Sequence, residues 1–126
     1  MQDQPTPVEL INAVAEFLRA DVAPQLSGHA AFKLRVGLNA LDLVVRQLTL
    51  EASGDAAESE RLSKLLGASG SLEDMNRILS ARIASGDMGF QTPGLTDHVW
   101  NTTMDKLAID QPNYASYRRE RDTENG

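Results

Sequence analysis

The sequence contains no cysteine, few aromatic residues and no long uninterrupted hydrophobic run. Without cysteine there is neither a disulfide framework nor a thiolate ligand for zinc, and a reducing compartment is permitted, so we expect a cytoplasmic protein. Aromatic residues make up only 5% of the 126 residues, which leaves Leu, Val, Ile and Ala to fill the interior. This composition favours helices over a β-sandwich.

Basic residues are also scarce, with 12 Lys and Arg against 18 Asp and Glu and a net charge of −6. This balance argues against a nucleic-acid partner, whose affinity would come from neutralising phosphates. The N-terminal sequence has no basic segment followed by an apolar run, so it predicts no signal peptide. The longest apolar region, Leu34 to Leu50, is interrupted by charged side chains and predicts no membrane span.

Apolar residues recur at steps of three and four, and capping signals divide the chain into about five helices. The first begins where Thr6 can cap the helix and Glu9 can complete a capping box, and it ends near Pro24. A break is expected at Ser53-Gly54. The other four helices are predicted from about His29 to Glu51, from Asp55 to Leu66, from Ser71 to Gly86 and from Pro93 to Ile109. The spacing predicts inward-facing residues on two of them, which are Leu62, Leu65 and Leu66 on the third helix and Leu72, Met75, Leu79 and Ile83 on the fourth.

These elements predict an all-α fold, a compact bundle of about five helices with a long central second helix. Residues 1–115 are expected to form a single helical domain. Residues 116–126 contain Tyr117 as their only apolar residue and are expected to form a polar C-terminal tail, disordered unless a partner holds it. Apolar surface left over on the helices makes a symmetric homodimer the expected form of self-association.

Four polar side chains interrupt the second predicted helix at helical spacing. Asn39, Asp42 and Arg46 lie within about 40° of Arg35 around the helix axis, with apolar residues on both flanks. Burying such groups without partners would cost several kcal/mol each. The row therefore predicts an internal groove, a subunit interface or a thin strip of water.

Two interpretations of this row remain open. The structural one, which we prefer, is a polar network in which Arg35, Asp42 and Arg46 are balanced by Lys106 and Asp110 of the last predicted helix. The functional one leaves the arginines partly free. Arg35 and Arg46, with the amide of Asn39 between them, would then hold the carboxylate or phosphate of an anionic acyl or phosphorylated small molecule.

No constellation of catalytic residues or metal ligands is visible in the sequence. There is no cysteine nucleophile, no serine at a strand-to-helix turn and no evident acid and base pair of carboxylates. His29 and His98 lack the spacing of metal ligands and are expected to be surface or satisfied residues. We therefore predict no catalytic residue, no metal site and no cofactor, and the sequence favours a protein without catalysis of its own.

Three segments, QPTPVELINAVAEFL, FKLRVGLNALDLVVRQL and DKLAIDQPNYA, together resemble a family of small bacterial helical proteins classed only as a domain of unknown function. Genes of that family often lie beside those of acyl-CoA dehydrogenase-like and aminoglycoside-phosphotransferase-like enzymes. The resemblance therefore implies an accessory protein that assists, or forms a complex with, enzymes of acyl-CoA metabolism. Its most specific residues are Phe32, Arg35, Val36, Asn39, Arg46, Lys106, Leu107, Asp110, Pro112 and Tyr114.

Overall fold

Helices account for all the regular structure of residues 4–125, the part of the chain that the computed structural model describes. The α-helices in this range number five: α1 Pro7–Phe17, α2 Gly28–Leu66, α3 Leu72–Ser85, α4 Leu95–Asp110 and α5 Ala115–Asn125. The prediction of an all-α protein with about five helices and a long second helix is confirmed. Of these helices, α2 and α5 differ from the predicted elements.

α1 begins as its capping signals predict. The side chain of Thr6 accepts a hydrogen bond from the amide of Glu9 at 3.2 Å. Beyond α1 the backbone widens into a π-helical turn, Leu18–Val22, and then tightens into a 3-10 turn, Ala23–Gln25. Because Pro24 has no amide to donate, it cannot continue the helical hydrogen bonding, and the helical stretch ends there.

The predicted break at Ser53-Gly54 is wrong, because α2 continues through it as one helix of 39 residues. The two helices predicted over His29–Glu51 and Asp55–Leu66 are therefore a single element. A glycine inside a helix costs only about 1 kcal/mol relative to alanine. The residues that follow, AAESERL, are mostly strong helix formers and outweigh that cost. Gly54 faces Asp105 of α4, whose side chain is the nearest to it.

The boundaries of α3 follow the predicted caps. The side chain of Ser71 accepts a hydrogen bond from the amide of Asp74 at 3.1 Å. Gly86 ends the helix in the left-handed conformation, with φ of 86°, which a residue without Cβ adopts at little cost. α4 begins at Leu95, slightly later than the predicted start at Pro93.

The chain divides into two compact units, Met1–Leu50 and Glu51–Gly126. The first unit contains α1, the two irregular turns and the N-terminal part of α2. Its buried apolar side chains, among the described residues, are Ala15 of α1 and Leu38 of α2. The expected single domain over residues 1–115 stays a prediction.

The Glu51–Gly126 unit contains the main hydrophobic cluster of the described chain. The C-terminal part of α2 contributes Leu62 and Leu66, α3 contributes Met75 and Leu79, and α4 contributes Leu95. Four of these five, those on α2 and α3, belong to the predicted inward-facing sets, whereas Ile83, predicted in the same stripe of α3, is 44% exposed. The periodicity of the sequence therefore identified most of this core.

Residues at the C-terminus form α5 where a tail without regular structure was expected. α5 packs against α4, and two features hold it in place. The side chain of Tyr117 is buried, and the indole Nε1 of Trp100 donates a hydrogen bond to the carboxylate of Glu124 at 2.9 Å. The guanidinium of Arg121 also lies over the Tyr117 ring, 5.7 Å from its centroid. Tyr117 is thus the buried side chain of an otherwise polar helix.

Candidate functional site

The predicted polar row on α2 is only partly covered by protein. Arg35 and Asn39 are exposed, whereas Asp42 and Arg46 are half-buried. The spacing of the row is as predicted, but its N-terminal end is not enclosed by hydrocarbon. Because Arg35 and Asn39 reach solvent, neither needs a buried partner to offset desolvation.

Asp42 has a partner that the sequence analysis did not identify. Its Oδ2 accepts a hydrogen bond from Nη2 of Arg19, in the π-helical turn, at 2.6 Å. Both side chains are partly exposed, so this ion pair contributes about 0–1 kcal/mol. Arg19 lies 23 residues earlier on another element, and no helical spacing relates the two. Lys106 and Asp110 are exposed on α4, and the network that would include them stays a prediction.

One face of α2 presents apolar and polar side chains to solvent together. Phe32, Arg35, Val36 and Asn39 follow the spacing of a single helix face, and all four are exposed. The ring of His29 stacks with that of Phe32, with centroids 6.5 Å apart. We call Phe32, Arg35, Val36 and Asn39 the α2 face. The combination of an aromatic, a basic and an aliphatic side chain is typical of protein interfaces.

α1 also leaves large apolar side chains uncovered. Leu10, Val14 and Phe17 share one face of the helix and are exposed. The Met1–Leu50 unit therefore presents apolar side chains at helical spacing on both of its helices. Exposed apolar groups that cluster in this way commonly mark interaction surfaces.

A second polar cluster surrounds His98 in the Glu51–Gly126 unit. His98, on α4, is 3% exposed, and its Nδ1 accepts a hydrogen bond from Nε of Arg61 on α2 at 3.2 Å. Nη2 of the same guanidinium donates to Oγ1 of Thr102 at 3.2 Å, so one arginine bridges two turns of α4. His98 was expected to be a surface or satisfied residue. Arg61 lies 37 residues earlier, and no local spacing connects it to His98.

The surroundings of His98 keep its ring neutral. Burial, and then the positive charge of Arg61, lower the pKa of His98 below its ordinary value of 6.5, while the carboxylate of Glu58 opposes them. Because Nδ1 accepts a hydrogen bond, the neutral ring carries its proton on Nε2. At neutral pH the cluster therefore holds a buried imidazole whose Nε2–H is a hydrogen-bond donor.

We expect the free energy of unfolding to decrease as the pH falls below about 6.5, because of His98. The unfolded chain protonates this ring near its ordinary pKa, whereas the folded protein does so only at lower pH. Between these two pKa values the unfolded state binds more protons than the folded state. Above both values the contribution of His98 to the free energy of unfolding does not change with pH. In His98→Gln, whose side-chain oxygen can still accept from Arg61, this part of the pH dependence should disappear. Urea unfolding at about pH 7.5 and about pH 5.5 measures it, and identical pH dependence in the two proteins would contradict the assignment.

A cavity of about 300 Å³ opens beside this cluster. Its charged and polar lining consists of Arg61 and Lys64 from α2 and of Asp97 and His98 from α4. The first turn of α4 also borders it at Gly94, the N-cap residue, which has no side chain to cap the helix. Hydrogen-bond donors and positive charge therefore predominate around this space.

A second cavity, of about 330 Å³, has a mainly apolar lining. Its large side chains come from α3, α4 and the segment between them, and they are Ile83, Phe90, Leu95, Val99 and Trp100. The polar side chains of its lining are two threonines and the Trp100 indole, whose N–H is already bonded to Glu124. This cavity has room for an apolar group but offers few groups to orient one.

Two further properties bear on the chemistry of the described residues. Among them, no three side chains of His, Asp or Glu gather in a group that could hold a metal ion. None of the helices within residues 4–125 combines the length and the apolar character needed to cross a membrane. The groups that the fold does bring together, around His98, supply hydrogen bonds and charge.

Residues 24–114 match a protein family described as a domain of unknown function, DUF6285. The match covers well over half of the chain, so the chain belongs to this family, and the resemblance seen in its sequence is confirmed. The matched region includes the α2 face and the cluster around His98. No curated protein and no solved structure matches the chain.

Proposed function

We propose that this member of the DUF6285 family is a non-catalytic interaction protein that binds an enzyme of acyl-CoA metabolism through its α2 face. The observation that carries the proposal is the exposure of Phe32 and Val36 beside Arg35 and Asn39 on one face of a helix. These four residues are also among those on which the family resemblance rests. The proposed place of action is the cytoplasm, since a chain without cysteine has no disulfide that a reducing compartment would break.

The composition of the α2 face suits the groove of a partner protein. A helix that docks in a groove uses anchors at steps of three and four residues, the spacing from Phe32 to Asn39. An aromatic ring contributes a large apolar contact area, and an arginine can bind a carboxylate of the partner through two parallel hydrogen bonds. The exposed side chains of Arg35 and Asn39 are therefore available for intermolecular bonds.

The class of partner comes from the resemblance alone. It points to the acyl-CoA dehydrogenase-like enzyme, or the aminoglycoside-phosphotransferase-like enzyme, encoded next to members of the family. A surface that serves one enzyme needs no catalytic residue of its own. This agrees with the sequence, in which no catalytic nucleophile with an adjacent general base is recognisable.

Val36→Asp should weaken binding to the partner enzyme by about tenfold or more, because it places a charge at the centre of an apolar contact. Val44→Asp is the matched control, since it makes the same change on the same helix. The two valines are similarly exposed, at 52% and 41%. Val44 lies about 80° from Val36 around the helix axis, outside the α2 face. Titration calorimetry with each purified neighbouring enzyme measures the affinity.

Three results would count against this function. The first is an equal loss of affinity in the two valine variants, and the second is no binding of the folded protein to either enzyme. The third concerns the expected homodimer. If sedimentation shows that Val36→Asp converts a dimer to a monomer while enzyme binding is unchanged, the α2 face joins two copies of the chain instead.

The exposure of Arg35 also favours a second function, the binding of an anionic acyl or phosphorylated small molecule. Arg35 and Asn39 would supply the donors, with Arg46 about three turns beyond Arg35, and Phe32 would provide an apolar wall. Thermal melting with coenzyme A, acyl-CoA and phosphate separates the two functions, because a ligand of the folded state raises the midpoint. A rise that Arg35→Ala abolishes would favour the ligand, and no rise would favour the interaction protein.

A further inference from the structure

The Nε2–H of His98 is a buried donor that the fold leaves unused. Arg61 occupies Nδ1, and no other hydrogen bond reaches this ring from the described residues. The described part of the chain contains no sealed side-chain nitrogen or oxygen without a partner. Nε2 is therefore not closed off by protein, and His98 is one of the residues that line the cavity. A fixed donor at the wall of a cavity is suited to orienting a ligand.

The first turn of α4 borders the same cavity at Gly94 and Asp97. The first amides of any α-helix lack partners within the helix. Those of Leu95 and His98 are bonded to carbonyls of the preceding segment, at 3.2 and 3.0 Å. Those of Thr96 and Asp97 have no such partner among the described residues, and the N-cap Gly94 offers no side chain. Of these two residues Asp97 lines the cavity, whereas Thr96 lines the apolar one. α4 has 16 residues, so its dipole adds about half a positive charge at this end.

The charged side chains that line the cavity are two cations and one carboxylate. Arg61 is fixed in place by its two hydrogen bonds, and Lys64 lies next to it along the rim. Two carboxylates nearby oppose an anion: Asp97 lines the cavity, and Glu58 acts on His98. Lys64 is also within 3.2 Å of Glu60, but both side chains are mostly exposed, so this pair is weak. Among the groups that line the cavity, the positive charge of Arg61, Lys64 and the helix N-terminus therefore exceeds the negative charge of Asp97.

We propose that this cavity is an oxyanion site, in which the Nε2–H of His98, the amide of Asp97 and the side chains of Arg61 and Lys64 receive one carboxylate or phosphate group. The volume of about 300 Å³ has room for such a group with part of the molecule that carries it. The site lies in the Glu51–Gly126 unit and shares no residue with the α2 face. It can therefore be tested independently of the proposed function.

Titration of the full-length protein with inorganic phosphate and, separately, with acetate tests the site by nuclear magnetic resonance. We expect saturable shifts at the amide of Asp97 and at the ring nitrogens of His98. Lys64→Gln should weaken the binding by about two- to fivefold, because it removes an exposed charge at the rim. Lys106→Gln is the matched control, an exposed lysine of the same unit that does not line the cavity.

The protonation of His98 gives a second readout. A bound oxyanion favours the charged ring, so saturation with the anion should raise the pKa of His98 above its value in the free protein. Binding of only one of the two anions would show which group the site accepts. The proposal is overturned if neither anion gives saturable shifts at millimolar concentration, or if the two lysine variants weaken binding equally.

Discussion

Leu62→Ala is expected to lower the free energy of unfolding of the Glu51–Gly126 unit by about 2–5 kcal/mol. Leu62 is 0% exposed and belongs to the cluster formed with Leu66, Met75, Leu79 and Leu95. The substitution removes apolar atoms from contact and leaves a space that close-packed neighbours fill only in part. Urea unfolding followed by circular dichroism measures the change.

Leu48→Ala is the control for this experiment, because it makes the same change on the same helix at a site that is 53% exposed. We expect it to cost less than about 1 kcal/mol, since most of this side chain is already in water. Hydrogen exchange adds a second measurement, in which Leu62→Ala should reduce protection of the amides of α3. Equal costs in the two variants would show that the core does not lie around Leu62.

Local patterns in the sequence identified the features that depend on neighbouring residues. The helical spacing of Leu62, Leu66, Met75 and Leu79 predicted the side that is buried, and the cap at Ser71 predicted where α3 begins. Each of these signals acts over one or two helical turns. They therefore do not depend on how the helices pack against one another.

Contacts between helices could not be predicted in this way. The pair of Arg19 with Asp42 and that of Arg61 with His98 join residues 23 and 37 positions apart. Their distances follow from the packing of separate elements, which helical spacing does not specify. The continuity of α2 through Gly54 is a different case, because there the break was predicted from one residue while the propensity of the whole segment decided the outcome.

In the predicted row on α2, helical spacing predicted one feature correctly and could not predict another. Its spacing placed Arg35 and Asn39 on one side of the helix, next to Phe32 and Val36. Helical geometry alone does not tell which side the rest of the protein covers, and this side is exposed. The same residues therefore change from candidates for a buried network to candidates for a binding surface.

Tyr117→Ala is expected to release α5 from α4, at a cost of about 3 kcal/mol in docking free energy. The helix has 11 residues and is almost entirely polar apart from this ring, and an isolated helix of fewer than about 12 residues is marginal in water. Without the ring, residues 115–125 should become the disordered tail that their composition suggests. Hydrogen exchange of these residues should show loss of protection.

The control for Tyr117→Ala is Tyr114→Ala, which removes an equal ring just before α5. Tyr117 is 9% exposed and Tyr114 is 53% exposed, so only the former is expected to hold the helix in place. Trp100 is the single tryptophan of the chain and bonds to Glu124 of α5. Its fluorescence therefore reports the release directly and should change in Tyr117→Ala but not in Tyr114→Ala. Protected amides in α5 of Tyr117→Ala would mean that the bond between Trp100 and Glu124, together with the other contacts of α5, is enough to order the helix without the buried ring.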